Sequence, residues 1–281
     1  DTPTDSPPLT KTVVSSKMRL VLAVGVEGTG HNYILKVDDS LFMNNRNLPR
    51  IEADARVRVG RYHMMQAMGR TSQHFSDIIN LGRDDMRLLA ERAAELPHPG
   101  TVLIVHGKYS YPDGHGPNKA LKYLDLRLLA EAAEAEGVDF RVLYLRRNAK
   151  DIIVSNTMHR RFQDKLGNAL TPGPERLFLN YMQILITDIA VVHSFLGELD
   201  PAFVICHDYD RLGEPQQSFS IADFLAPNAD VAEPLKQSFV DAAKAYSPST
   251  ENLPYEGAEA IASRLQRKFD SFETALCTGR H

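Results

Sequence analysis

The chain contains no tryptophan, only two cysteines, no strong excess of either charge and no long uninterrupted apolar run. Each shortage excludes something. Two cysteines, Cys206 and Cys277, cannot build a zinc cage or a disulfide-stapled miniprotein, and they allow at most one disulfide. Cys206 lies in a strand-like apolar run, which favours a plain core thiol. With 32 basic and 36 acidic residues the net charge is −4, so no global field recruits nucleic acid or an anionic membrane. The longest apolar stretch, Leu177–Leu196, is broken by Asn180, Gln183, Asp188 and His193. Polar groups so spaced suit a long buried helix and not a bilayer span.

What remains is a globular composition, 43% apolar and 24% charged over 281 residues, enough to bury a sizeable core. Residues 1–17, with the Pro- and Ser/Thr-rich opening Asp-Thr-Pro-Thr-Asp-Ser-Pro-Pro, read as a flexible leader. They suit either the stem of a membrane-anchored lumenal enzyme or a trimmed terminus, so a Golgi lumen and the cytoplasm both stay open as compartments. Residues 18–281 read as one domain with no internal repeat.

Four continuous apolar runs rich in β-formers stand out: Arg19–Gly25, Thr101–His106, Arg141–Leu145 and Ala202–Cys206. Continuous runs are expected of strands covered on both faces of a parallel sheet. Helical patterns separate them at Asp84–Leu96, Asn118–Glu136, Asp151–Arg161 and Glu175–Glu198, and the chain from Ser218 onward reads as mostly helical. This alternation predicts an α/β fold, three layers deep (α/β/α) with a central parallel sheet. The segment Asn44–Thr71, scattered with arginines, is the least regular.

The first run leads into Gly25-Val26-Glu27-Gly28-Thr29-Gly30-His31-Asn32, ahead of a helical stretch from Tyr33. Glycines at a strand-to-helix turn let backbone N–H groups converge on an anion. The Gly25-to-Gly30 spacing is that of a P-loop, but His31-Asn32 stands where nucleoside triphosphatases have Lys-Ser/Thr. Without that lysine and that Mg²⁺-holding hydroxyl, the loop suits a phosphate-bearing ligand handled without a metal. The glycines also fail the dinucleotide fingerprint G-x-G-x-x-G.

The third run leads into Arg146-Arg147-Asn148-Ala149-Lys150-Asp151-Ile152-Ile153-Val154-Ser155. The stretch Arg147–Ser155 resembles the 3′-phosphate motif of sulfotransferases, R-N-P-K-D-x-x-V-S, with Ala149 for the proline. Gly25–Asn32 is similar to that family's 5′-phosphosulfate loop. Phe203–Ala226, with Asp208-Tyr209-Asp210-Arg211-Leu212 and Ile221-Ala222-Asp223-Phe224-Leu225, resembles its last core strand and the helix after it. The likeness spans landmarks from residue 19 to about 226. It implies a P-loop-like sulfotransferase fold and 3′-phosphoadenosine 5′-phosphosulfate (PAPS) as cosubstrate, with no metal.

Carried over residue by residue, the resemblance puts Arg147 and Ser155 on the 3′-phosphate. Gly28, Thr29, Gly30, His31, Asn32 and Tyr33 then form the 5′ loop. Three departures stand out. Gly28 replaces the family's loop Lys or Arg, His31-Asn32 replaces Thr-Thr, and Tyr33 replaces the usual Trp. The missing cation is replaced by His31, or by another residue such as Lys108, or the protein binds without transferring; His31 is the favoured reading. For the base that takes the acceptor's proton, His106 at the end of the second run is the first candidate and Glu27 the second. Tyr109, Tyr111, Gly114 and Gly116 suggest an aromatic loop beside His106, suited to a sugar, alcohol or phenol. His159 and His207 read as structural, and Asp208 and Asp210 as loop-shaping groups. The expected activity is transfer of a sulfuryl group to a hydroxyl or amine of a small-molecule or glycan acceptor. Two rivals stand beside it, a P-loop small-molecule kinase and a non-catalytic nucleotide-binding protein.

Overall fold

A computed structural model describes residues 18–26, 28–30, 33–34, 36–37, 57–59, 82–93, 101–108, 125–158, 190–226, 229–244, 253 and 257–277. For residues 18, 57–59, 92–93, 101–108, 156–158 and 230 it describes the backbone alone. Five strands form one parallel sheet: β1 (Met18–Gly25), β2 (Val57–Val59), β3 (Thr101–Lys108), β4 (Asp139–Arg146) and β5 (Val204–Asp208). Their spatial order is β2-β3-β1-β4-β5, with β1 in the middle. The four apolar runs of the sequence correspond to β1, β3, β4 and β5. The fourth run is shifted, because Pro201–Phe203 forms a 3₁₀ turn and pairing begins at Val204. β2, three residues long, lies inside the segment read as irregular.

Six helices have defined bounds: α1 (Arg83–Ala93), α2 (Leu126–Ala135), α3 (Ala149–Met158), α4 (Pro215–Leu225), α5 (Ala229–Lys244) and α6 (Ala258–Cys277). Residues 190–197 are also helical. The start of α2 has a local cause. Asp125 is extended, and its side chain accepts from the N–H groups of Arg127 and Leu128, so α2 starts at Leu126; the expected start at Asn118 lies outside the described residues. At the other end Gly137 takes φ 73°, and the N–H of Val138 closes on the Ala133 carbonyl before β4 begins.

Alternation along β1 sends its side chains to two cores. Leu20, Leu22 and Val24 pack with Met86 and Leu89 of α1, Leu126, Leu129 and Ala133 of α2, and Val192 and Leu196. Val21 and Ala23 pack on the other side with Tyr33, Ile34 and Val37, and with Ile221, Leu225, Leu235 and Phe239 of α4 and α5. β4 divides likewise, Val142 and Tyr144 to the first core, Leu143 and Leu145 to the second. Helices thus cover both faces of the sheet. A third, smaller core joins α3 to α6 through Ala149, Ile152, Ile153, Ala262, Leu265 and Phe269. Fully buried leucines such as Leu20 and Leu22 contribute about 1.5–3 kcal/mol each. No helix among the described residues is long and apolar enough to cross a membrane.

The reading of Cys206 as a core thiol is corrected. It is disulfide-bonded to Cys277 at the end of α6. The partners are 71 residues apart, and only the packing of α6 along β5 brings their Cα atoms to 5.7 Å.

Candidate functional site

The sheet order places a switch point between β1 and β4. The chain leaves β1 toward β2 on one side and leaves β4 toward β5 on the other, so their connections diverge at the carboxyl ends of two adjacent strands. In open parallel sheets, ligands bind outside the carboxyl ends at such a point. The segments that follow β1 and β4 carry the glycine turn and Arg147.

After β1 the backbone turns through Gly28 and Gly30, whose φ values of 92° and 111° suit glycine. Thr29 locks the turn, its hydroxyl and its N–H both donating to the Val26 carbonyl, at 2.7 and 3.2 Å. The N–H groups of Tyr33 and Ile34 then close on the Gly30 carbonyl as helical backbone starts. Tyr33 itself is a core residue. Its ring is buried and its hydroxyl donates to the Phe239 carbonyl at 2.8 Å.

After β4 comes Arg147, which reaches across to that turn. Its Nη1 donates to the Gly28 carbonyl at 3.2 Å, and its Nη2 lies 3.5 Å from Asp151 Oδ2. Its guanidinium carbon stands 4.5 Å from the centre of the Tyr209 ring, a cation–π contact. Its Nε–H is buried without a hydrogen-bond partner. A buried charged donor left unmade costs about 1–3 kcal/mol or more, so it marks a place for an acceptor.

Asn148 caps α3. Its Oδ1 accepts from the Asp151 N–H at 2.8 Å, and its Nδ2 donates to the Asp151 carboxylate at 2.9 Å. The Asn148 N–H donates to Asp210 Oδ2 and the Ala149 N–H to Gln266 Oε1. The N–H groups of residues 148, 149 and 151 thus have side-chain partners within the fold. Ser155 lies four residues beyond Asp151, on the same side of α3 and half-buried.

Beyond β5, Asp208 Oδ1 accepts from the Asp210 N–H and starts a 3₁₀ turn, Tyr209–Arg211. This turn lays Tyr209 over both Arg147 and Gly30. A Cβ at Gly30 would lie 2.6 Å from Tyr209 Cδ2. Burial raises the Tyr209 phenol above its ordinary value, opposed by the Arg147 charge, so the hydroxyl stays a donor at neutral pH. Burial likewise raises the Asp210 carboxyl, against the Asn148 N–H that it accepts.

The structure therefore brings together Gly28, Thr29, Gly30 and Arg147, with Ser155 farther along α3, and turns Tyr33 into the core. Glu27, His31 and Asn32 lie outside the described residues, as do Tyr109, Tyr111, Gly114, Gly116 and His159. The backbones of His106 and Lys108 are in β3, in register with Ala23 and Gly25 of β1, which places them toward the same end of the sheet. Asp208 and Asp210 shape the loop as expected. His207 is buried against Tyr33 and Phe239, as a structural histidine would be. The sequence reading assigned no role to Tyr209 or Gln266. Tyr209's place in a short turn just after a strand was the available signal, whereas nothing local marks Gln266. No protein-family model and no curated protein matches this chain.

Proposed function

We propose that this protein is a metal-independent sulfotransferase of P-loop-like fold, with PAPS as cosubstrate and a hydroxyl or amine of a sugar, alcohol or phenol as acceptor. The observation that carries the reading is Arg147. It is a guanidinium fixed between the glycine turn and an aromatic ring, with one buried donor unspent, in the motif Arg147–Ser155 that resembles the family's 3′-phosphate site. A guanidinium already held by the Gly28 carbonyl, Asp151 and the Tyr209 ring is oriented before a phosphate arrives. Ser155 adds a hydroxyl along the same helix, and the glycine turn that the resemblance assigns to the 5′-phosphosulfate stands beside Arg147.

The cosubstrate supplies a sulfur–oxygen bond that breaks toward the 5′-phosphate as a new bond forms from sulfur to the acceptor. The chain's part is to bind, orient and move one proton. In this reading His106, or Glu27, takes the acceptor's proton, and His31 donates to the oxygen on which charge grows.

The test is thermal shift and calorimetry with 3′,5′-bisphosphoadenosine against ATP–Mg²⁺. The bisphosphate raises Tm by mass action and ATP–Mg²⁺ does much less. Arg147→Ala weakens its binding by about 1.5–3 kcal/mol with little change in fold stability. An equal response to ATP–Mg²⁺ favours the kinase, and unchanged binding by Arg147→Ala makes the motif accidental. Binding without transfer to any acceptor, in a chain with Gly28 where the family has a cation, leaves a nucleotide-binding protein.

A further inference from the structure

Behind Arg147 lies a second cluster. Tyr144 and Arg146 stand two residues apart on β4, so their side chains leave the same face of the sheet. α6 lies across that face and puts Glu273 between them. The Tyr144 hydroxyl donates to Glu273 Oε1 at 3.1 Å, and Arg146 Nε is 3.3 Å from Glu273 Oε2. On its other side Arg146 Nη2 is 3.2 Å from Asp208 Oδ2, the carboxylate that starts the Tyr209 turn. One arginine thus sits between two carboxylates, directly behind the arginine of the candidate site.

Among the described residues, the groups facing Glu273 are Tyr144 and Arg146 from β4, Asp208 from β5 and Asp270 on α6 itself. His193, from the helical residues 190–197, approaches through Tyr144, its Nε2 lying 3.3 Å from that hydroxyl. Burial is the largest influence on Glu273 and pushes its carboxyl up to about 7, helped by Asp208 and Asp270 and opposed by Arg146 and Tyr144. Burial holds His193 down at about 4 and raises Tyr144 well above 10, so neither titrates near neutrality. Protonation of Glu273 leaves an oxygen that still accepts from Arg146, so it changes the charge behind the site more than its shape.

We propose that anion binding at Arg147 is linked to a proton at Glu273, the arriving phosphate driving that proton onto the carboxylate behind Arg146. The linkage rests on the reading of Arg147 as a phosphate ligand and adds regulation to that site. Its sign follows from like charges. A phosphate dianion beside Arg147 disfavours the ionised form of Glu273, and by reciprocity the protonated form binds the anion more tightly. Screened by solvent and salt, the like-charge coupling is expected to be about three- to tenfold in affinity.

The experiment is calorimetry with 3′,5′-bisphosphoadenosine between pH 6 and 8.5, in paired buffers of different ionisation enthalpy, on wild type and Glu273→Gln. The ligand's own phosphate protons count equally in both proteins. Wild type is expected to take up more protons near pH 7 than the variant, and its affinity to fall by a further three- to tenfold toward pH 8.5. A second measurement needs no variant. The ¹³C carboxyl signal of Glu273 is followed against pH with and without ligand, and saturation is expected to raise its midpoint. The same proton count in both proteins, or an unmoved midpoint, overturns the linkage while leaving the binding site intact. No binding to either protein, with Glu273 titrating near 7 in the free chain, overturns the site assignment and the linkage with it.

Discussion

The ring of Tyr209 lies over the Arg147 guanidinium at 4.5 Å and also occupies the space that a side chain at Gly30 would need. One aromatic side chain thus closes three segments, the turns after β1, β4 and β5, into a single surface. A cation–π contact of this kind contributes about 0.5–2 kcal/mol. Tyr209→Phe keeps the ring and is expected to bind 3′,5′-bisphosphoadenosine within about twofold of wild type. Tyr209→Leu loses the ring's attraction for the cation and is expected to weaken binding by about 3- to 30-fold, read by calorimetry. Equal behaviour of the two variants removes the ring from the account of the site.

Gly30→Ala meets two obstacles at once, a φ of 111° and a Tyr209 carbon 2.6 Å from the new methyl. The backbone strain alone costs about 1–2 kcal/mol, and displacing Tyr209 adds to it. The expected result is a chain destabilised by about 2–4 kcal/mol in urea, with bisphosphoadenosine binding lost together with the Tyr209–Arg147 contact. Gly197→Ala is the matched control. Nothing lies within 4 Å of its new Cβ and its φ is not in the left-handed range, so the change is expected to be neutral or stabilising by up to about 1 kcal/mol.

The Cys206–Cys277 disulfide closes a loop of 71 residues between β5 and the last turn of α6. On the chain-entropy account a loop of that size stabilises by about 4 kcal/mol. Cys277→Ser, and wild type in excess dithiol, are both expected to lose about 2–4 kcal/mol in urea unfolding and to agree with each other. Dithiol is expected to leave the Cys277→Ser variant unchanged, because the chain's only other cysteine then has no partner. A dithiol effect of the same size in both proteins assigns the loss to something other than this bond.

The strands were legible because their signal is local. Leu20–Val24 and Val142–Leu145 are unbroken apolar runs, and burial on both faces of a parallel sheet leaves little room for polar alternation. β2 was not legible, since a Val-Arg-Val tripeptide among arginines owes its pairing to β3 and carries no run of its own. The same division holds at the site. Arg147, Asp151 and Ser155 lie within nine consecutive residues of one strand-end and helix, so their proximity was legible from a contiguous motif. Tyr209 over Gly30, Gln266 on the Ala149 N–H and Cys277 on Cys206 depend on which strands and helices become neighbours, information spread over the whole chain. Their residue types are common, and nothing local distinguishes them.

Two buried titrating groups pull the pH dependence of stability in opposite directions. His207 is buried between Tyr33 and Phe239 with neither ring nitrogen hydrogen-bonded, and burial lowers its pKa from 6.5 to about 4. A depressed folded value means that its contribution to stability is fully present above pH 6.5 and is lost as pH falls through 4. Glu273 has the opposite sign, raised from 4.5 to about 7, so its contribution is full below pH 4.5 and is lost as pH rises through 7. Between pH 4.5 and 6.5 the unfolded chain holds one more proton than the native state at His207 and one fewer at Glu273. Each slope is about 1.4 kcal/mol per pH unit, and the two cancel in the wild type. Single variants expose them. Subtracting the His207→Leu stability curve from that of wild type is expected to leave a difference that rises with pH across this window. The same subtraction with Glu273→Gln leaves one that falls with pH. Urea unfolding at half-unit steps measures both, and all other titrating groups drop out of the differences. Parallel curves for wild type and His207→Leu would show that His207 is protonated or solvated in the folded chain, and so is not the neutral ring that the packing around Tyr33 requires.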